Sequence, residues 1–79
     1  MQFTQYFLHT RNRSDRSMIT DEWIQQAIDS PIHTEVQADG RIRKWTKIEK
    51  EDRFLRIILL EDGKTVHNAF LDRNFKETK

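Results

Sequence analysis

The chain contains no cysteine. Disulfides, thiolate zinc sites and cysteine nucleophiles are therefore excluded, while the compartment is left open. Glycine occurs only twice, at Gly40 and Gly63, each directly after an aspartate. Both read as turns, and no glycine-rich phosphate loop can be built from them. Pro31 is the single proline and Tyr6 the single tyrosine. The three histidines, His9, His33 and His67, are far apart and show no HxH or HxxxH spacing. No metal site and no cofactor is expected, and no Ser-His-Asp arrangement is suggested. No apolar run approaches the roughly 20 residues needed to span a bilayer, so no membrane partner is expected. The start, MQFTQYFLHTRNR, lacks a basic segment followed by an apolar core, and a cytoplasmic location is the expectation.

Charge of one sign is also missing. Fourteen Lys and Arg face thirteen Asp and Glu, a net charge of +1, so any nucleic-acid site must be local. Hydrophobic residues make up 35% and charged residues 34%, but the apolar residues are clustered and periodic, which argues for a fold over disorder. At 79 residues a single domain over 1–79 is expected, with polar 72–79 as a tail or a short terminal turn. A chain of this size buries about 60–65% of its unfolded surface. One small core, with stability on the order of 5 kcal/mol, is all it can build.

The organising stretch is Arg53 to Phe70, RFLRIILLEDGKTVHNAF. Its apolar run from Phe54 to Leu60 is too hydrophobic for an edge and reads as a central strand. Asp62-Gly63 turns the chain, and a partner strand opens at Thr65. A bulged three-residue loop would pair Ile58 with Val66, Arg56 with Asn68 and Phe54 with Phe70. Upstream, Ile32 to Ala38 alternates, Asp39-Gly40 turns, and Arg41 to Glu49 returns. A left-handed Gly40 with a bulge pairs Val36 with Ile42, matching apolar to apolar. Ile42, Lys44, Thr46 and Ile48 then share one face, and Arg41, Arg43, Trp45 and Lys47 the other. Lys50 to Asp52 is a charged turn.

The clearest helix follows Thr20 and ends at Ser30. Thr20 caps it, Asp21 and Glu22 favour its positive end, and Pro31 stops it. Trp23, Ile24, Ala27 and Ile28 form its apolar face, with Ile19 stapled onto Ile24. Residues 1–13 fit either a helix or an aromatic strand. A short helix capped by Thr4, with Phe3 packed on Leu8, is preferred. Arg11 to Ser17 is a polar loop. The expected fold is α+β: one or two N-terminal helices on a four-stranded antiparallel meander.

Several groups could carry chemistry. Arg41, Arg43 and Lys47 interleave with Trp45, a composition that can hold phosphates and stack a base. The same residues also fit a solvated strand face with an arginine stacked on tryptophan. Arg56 interrupts a buried run, so it either pairs with a helix carboxylate such as Glu22 or Asp29 or points into a site. Asn68 beside Arg56 could help grip an anion. His67 could serve as general acid or base, or could be a hydrogen-bonded structural residue. Arg11, Arg13 and Arg16 form either a phosphate-binding edge or a solvated loop.

His9 followed by Arg13 and Arg16, Ile19-Thr20 before a helix ending at Pro31, the Gly40-Arg41 turn, and the Ile57–Leu60 strand leading to Thr65-Val66 together carry a resemblance. The chain resembles a family of small bacterial domains of unknown function, similar to BrnT-type toxins and more distantly to the RelE-like ribonuclease fold. The resemblance implies helices followed by a sheet, and metal-independent RNA cleavage by basic side chains. It would give Arg41, Arg43 and Arg56 to the middle strands and Arg73 to the C-terminal end, with Arg56, His67 and Arg73 as the catalytic candidates. Where RelE-like enzymes often place a tyrosine near that end, this chain has Phe75. Three functions are therefore expected to compete: a non-catalytic interaction module holding a protein partner such as an antitoxin, an RNA-binding or RNA-cleaving toxin-like protein, and an accessory protein binding a small anionic ligand at Arg56 and Asn68.

Overall fold

The computed structural model describes residues 1–14 and 16–76. Two helices lie on one face of a five-stranded mixed sheet. The elements run β1 (Gln2–Phe3), α1 (Gln5–Thr10), α2 (Asp21–Asp29), β2 (His33–Val36), β3 (Ile42–Ile48), β4 (Arg53–Leu59) and β5 (Thr65–Leu71). The strand order is β1-β5-β4-β3-β2, which makes β4 the central strand. No helix is long and apolar enough to cross a membrane.

The four expected strands are present, and the fifth corrects the expectation. Residues 1–13 hold a strand and a helix in succession. β1 pairs in parallel with β5, Gln2 opposite Thr65 and Phe3 opposite Val66. Thr4 then ends the strand and starts the helix. Its N–H donates to the Val66 carbonyl at 3.0 Å, and its Oγ1 accepts from the Phe7 N–H at 3.1 Å. The cap is the expected one, but Phe3 meets Phe7, with ring centroids 5.5 Å apart, while Leu8 is exposed.

α2 follows its sequence signals closely. Thr20 Oγ1 accepts from the Trp23 N–H at 3.2 Å, and Asp21 and Glu22 occupy the first turn. Ile24 and Ala27 are fully buried, and Trp23 and Ile28 pack partly buried beside them. Two polar ties fix α2 on β3. Gln26 Nε2 reaches Thr46 Oγ1 at 2.9 Å and the Lys47 carbonyl at 3.0 Å. Lys44 Nζ donates to the Ile28 carbonyl at 3.1 Å, a cation at the negative end of the helix. Under the helices Leu55, Ile57 and Leu59 of β4 meet Val66 and Ala69 of β5, all fully buried, with Phe7 and Ile48 alongside.

The first hairpin has the expected register, with Val36 opposite Ile42. Gln37 donates to the Arg41 carbonyl at 2.7 Å, and Gly40 sits at φ 91°. A side chain at Gly40 would also collide with Glu61, 2.7 Å from the position of its Cβ. The second hairpin departs from the expected register. Leu60 pairs with Thr65, its N–H donating to the Thr65 carbonyl, so Lys64 is drawn into the loop. The cause is Asp62, whose carboxylate accepts from the Lys64 N–H, the Thr65 N–H and Thr65 Oγ1. Those three bonds, the Thr65 hydroxyl foremost, hold the Asp62 pKa down at about 2. A bulge at His67 adds one more residue: Leu59 faces Val66, but Ile58 faces Asn68. Arg56 consequently lies opposite Phe70 and not Asn68, and Leu55 opposite Leu71.

The C-terminal stretch begins with a turn. Asp72 to Lys76 fold back over the second face of the sheet, and Phe75 stacks on Trp45 at 5.0 Å between centroids. Residues 77–79 of that tail, and position 15 of the Arg11–Ser17 loop, lie outside the described residues.

Candidate functional site

The face of the sheet away from the helices carries Arg43 and Trp45 from β3, Arg56 from β4 and Phe70 from β5. Alternation sets this. With Leu55 and Ile57 turned into the core, Arg56 between them must point the other way. Its partner is therefore not a helix carboxylate. Arg56 Nη1 lies 3.7 Å from Asp72 Oδ2, and the guanidinium rests over Phe70 at 4.9 Å and Trp45 at 5.7 Å. Neither Glu22 nor Asp29 serves it; Asp29 accepts from Gln25 on its own helix.

Trp45 is only 4% exposed. Phe75 covers one side of the indole, His33 approaches at 5.2 Å, and Nε1 donates to Asp72 Oδ2 at 3.0 Å. A base has no open indole face to stack on here, which corrects the platform expected from the Arg/Trp alternation. Asp72 is the hinge of this arrangement. Burial works against its ionised form, but the Trp45 bond, the Asn74 N–H, Arg56 and the Phe75 N–H together hold its pKa below the usual 3.8. It is ionised at neutral pH.

The catalytic candidates are separated. Arg56 lines a concavity of about 470 Å³ between β2–β3 and the folded-back C-terminal segment. Arg73 lines a different one of about 400 Å³, with Arg16, Arg53 and Phe70. His67 stands at the bulge beside α1, stacked on Tyr6 at 4.9 Å, with Nδ1 3.2 Å from Thr4 Oγ1. Thr4 Oγ1 already accepts from Phe7, so its hydroxyl proton is free to go to a neutral imidazole. Burial first, and the Arg41 charge second, lower the His67 pKa from the ordinary 6.5. The structure places His67 as a link between α1 and β5.

That placement has a measurable consequence. A histidine whose pKa is depressed in the folded state takes a proton more readily when unfolded. Its contribution is full above pH ~6.5 and declines as pH falls through that value toward the folded pKa. Urea midpoints measured from pH ~8 to ~5 should fall over this window in the wild type and fall less in His67→Gln. Parallel pH profiles would contradict the assignment.

Of the remaining basic residues, Arg43 lines the same concavity as Arg56, and Arg41 and Lys47 lie outside it. Lys47 Nζ pairs with Asp52 at 3.2 Å, Arg41 Nε lies 3.8 Å from Asp39, and Arg43 Nη1 lies 3.9 Å from Glu35. Asn68 accepts from Arg16 Nη1 at 2.7 Å, so it belongs to the loop contact and not to Arg56. Arg11 pairs with Asp21 and lies over Phe3 and Phe7, which removes it from any continuous phosphate-binding edge. Among the described residues, no group of three His, Cys, Asp or Glu is placed to hold a metal ion. Sequence reasoning missed Asp72 and Phe75, whose roles depend wholly on contacts with β3 and β4. The one available signal was an isolated aromatic in a polar terminal stretch.

A search of protein families, curated proteins and solved structures finds no match for this chain.

Proposed function

We propose that this protein is a non-catalytic interaction module on a toxin-like fold, and that it holds an extended segment of a protein partner along β2. The observation that carries this reading is the state of β2. All four of its residues are exposed, Val36 at 71%, and it is an outermost strand of the sheet. Gln37 donates across to Arg41, so alternation turns the backbone groups of Val36 and Thr34 outward. Such an edge accepts an added strand through main-chain hydrogen bonds. The placement of Arg56, His67 and Arg73 in different surroundings, with no shared concavity, supports the non-catalytic part of the reading. The helices-on-sheet layout supports the toxin-like part.

The test exploits the outward N–H of Val36. Val36→Pro removes that donor without removing a bond inside the sheet. A partner co-purifying with the wild type and with Val36→Thr should be lost from Val36→Pro, with the circular dichroism spectrum unchanged. Equal retention by the proline variant would overturn the edge-strand reading.

A second reading, RNA binding, is favoured by the concavity that brings Arg16, Arg53 and Arg73 together. Phosphate-dominated binding there would weaken steeply as salt rises and would be reduced in Arg53→Gln.

A further inference from the structure

The concavity above Trp45 has a hydrogen-bond imbalance. Arg43 and Arg56 occupy diagonal positions on neighbouring strands, since Arg43 faces Ile58 and Trp45 faces Arg56. Diagonal residues on one sheet face lie roughly 7–8 Å apart, within reach of long side chains. Both guanidiniums line the same space of about 470 Å³. Among the described residues, the Nε atom of each is shut off from solvent and finds no acceptor. Their nearest carboxylate oxygens, at 3.9 Å and 3.7 Å, are too distant for hydrogen bonds.

Those carboxylates are served by other donors. Glu35 Oε2 is 2.8 Å from His33 Nε2. Asp72 accepts from Trp45 Nε1 through Oδ2 and from the Asn74 N–H through Oδ1. Both Asp72 oxygens and Glu35 Oε2 thus have donors already, while the Nε–H groups of Arg43 and Arg56 have no acceptor among the described residues. Lys76 lines the same space, so among the described residues three cationic side chains there face two carboxylates. Two guanidiniums converging on one cavity repel each other, and a bound anion relieves that repulsion while filling their donors. The volume lies within the range of small-molecule sites.

We infer that this concavity is a binding site for a small oxyanion, a phosphate or carboxylate group, gripped between Arg43 and Arg56 with Lys76 at its mouth. The site borders β2 through the His33 and Glu35 side chains, but its ligand is a small molecule held by side chains, not a strand held by the main chain.

The full chain, labelled with ¹⁵N, is titrated with inorganic phosphate and, in a second arm, with benzoate, chloride replacing each at equal ionic strength. The Trp45 indole N–H signal reports the site, because its acceptor, Asp72, is also the partner of Arg56. Saturable shifts at millimolar concentration are expected with at least one probe, and the stronger arm distinguishes a phosphate from a carboxylate ligand. Arg43→Gln should weaken binding about tenfold, the loss expected for one charge-assisted contact, and Arg43→Lys by less. Arg56→Gln also disturbs packing, so Lys76→Gln, which is exposed, is the second variant and should weaken binding modestly. An indole signal unmoved by both probes, or equal affinity in wild type and Arg43→Gln, would overturn the inference.

Discussion

Ile57→Ala is expected to lower the stability of this protein by about 2–5 kcal/mol, the range for truncating a buried aliphatic side chain. Ile57 is fully buried at the middle of the central strand, opposite Ala69 on β5 and Lys44 on β3. Ala69 offers no side chain that could lean into the vacancy. Collapse around it would require the whole α2 face, Ile24 and Ala27, to move inward, and the Gln26 and Lys44 ties to β3 resist that. With total stability on the order of 5 kcal/mol for so small a chain, this one change should leave much of the protein unfolded. Urea denaturation followed by circular dichroism measures it. A loss below about 1 kcal/mol would show that Ile57 is not the keystone of the packing.

Asp72→Ala should be the next most damaging substitution. It removes the acceptor of Trp45 Nε1 and the counter-charge of Arg56 together. Truncating one partner of a buried pair costs about 3–5 kcal/mol when the remaining charge stays dry. Arg56 keeps partial access to water, and the expected loss is nearer 2–4 kcal/mol. Asp72→Asn retains an oxygen for Trp45 and should lose about half as much. The pH dependence follows the sign of the shift. The folded pKa of Asp72 is below the usual 3.8, so its stabilisation is complete above that value and is lost as pH falls through the folded one. Acid titrations of wild type and Asp72→Asn should therefore converge at low pH. A constant gap between them would contradict the role given to the carboxylate.

Local signals made much of the fold legible. Thr20, Asp21, Glu22 and Pro31 bracket α2 because capping and proline geometry act within a few residues. Asp39-Gly40 sets the Val36–Ile42 register because a positive φ at Gly40 determines the turn. The second hairpin carries the same Asp-Gly pair yet pairs differently. There Thr65 supplies a hydroxyl and an N–H to Asp62, and the loop keeps Lys64; the bulge at His67 then shifts the strand again. The first turn lacks such a hydroxyl: Asp39 accepts the Arg41 N–H, with the Arg41 guanidinium 3.8 Å away. β1 was hidden because two residues carry no periodicity, and its pairing with β5 spans most of the chain.

The site was less legible for a related reason. Alternation puts Arg43 and Trp45 on one face of β3, but leaves open whether Arg56 meets a helix carboxylate or a site. It cannot say what covers that face. Phe75 and Asp72 do so from the C-terminal stretch, turning an expected stacking platform into a small aromatic cluster with Phe54, whose ring lies 5.1 Å from Phe75. The guanidiniums that remain flank a cavity of ligand size, and the candidate acid–base residue sits elsewhere, on Tyr6.

The claim that the protein works by binding and not by cleaving RNA is tested most directly by expressing it at high level in a bacterium and following growth and total RNA integrity. Unchanged growth and intact RNA, in wild type and Arg56→Ala alike, are predicted. Growth arrest with RNA cleavage that vanishes in Arg56→Ala would contradict the account at its centre.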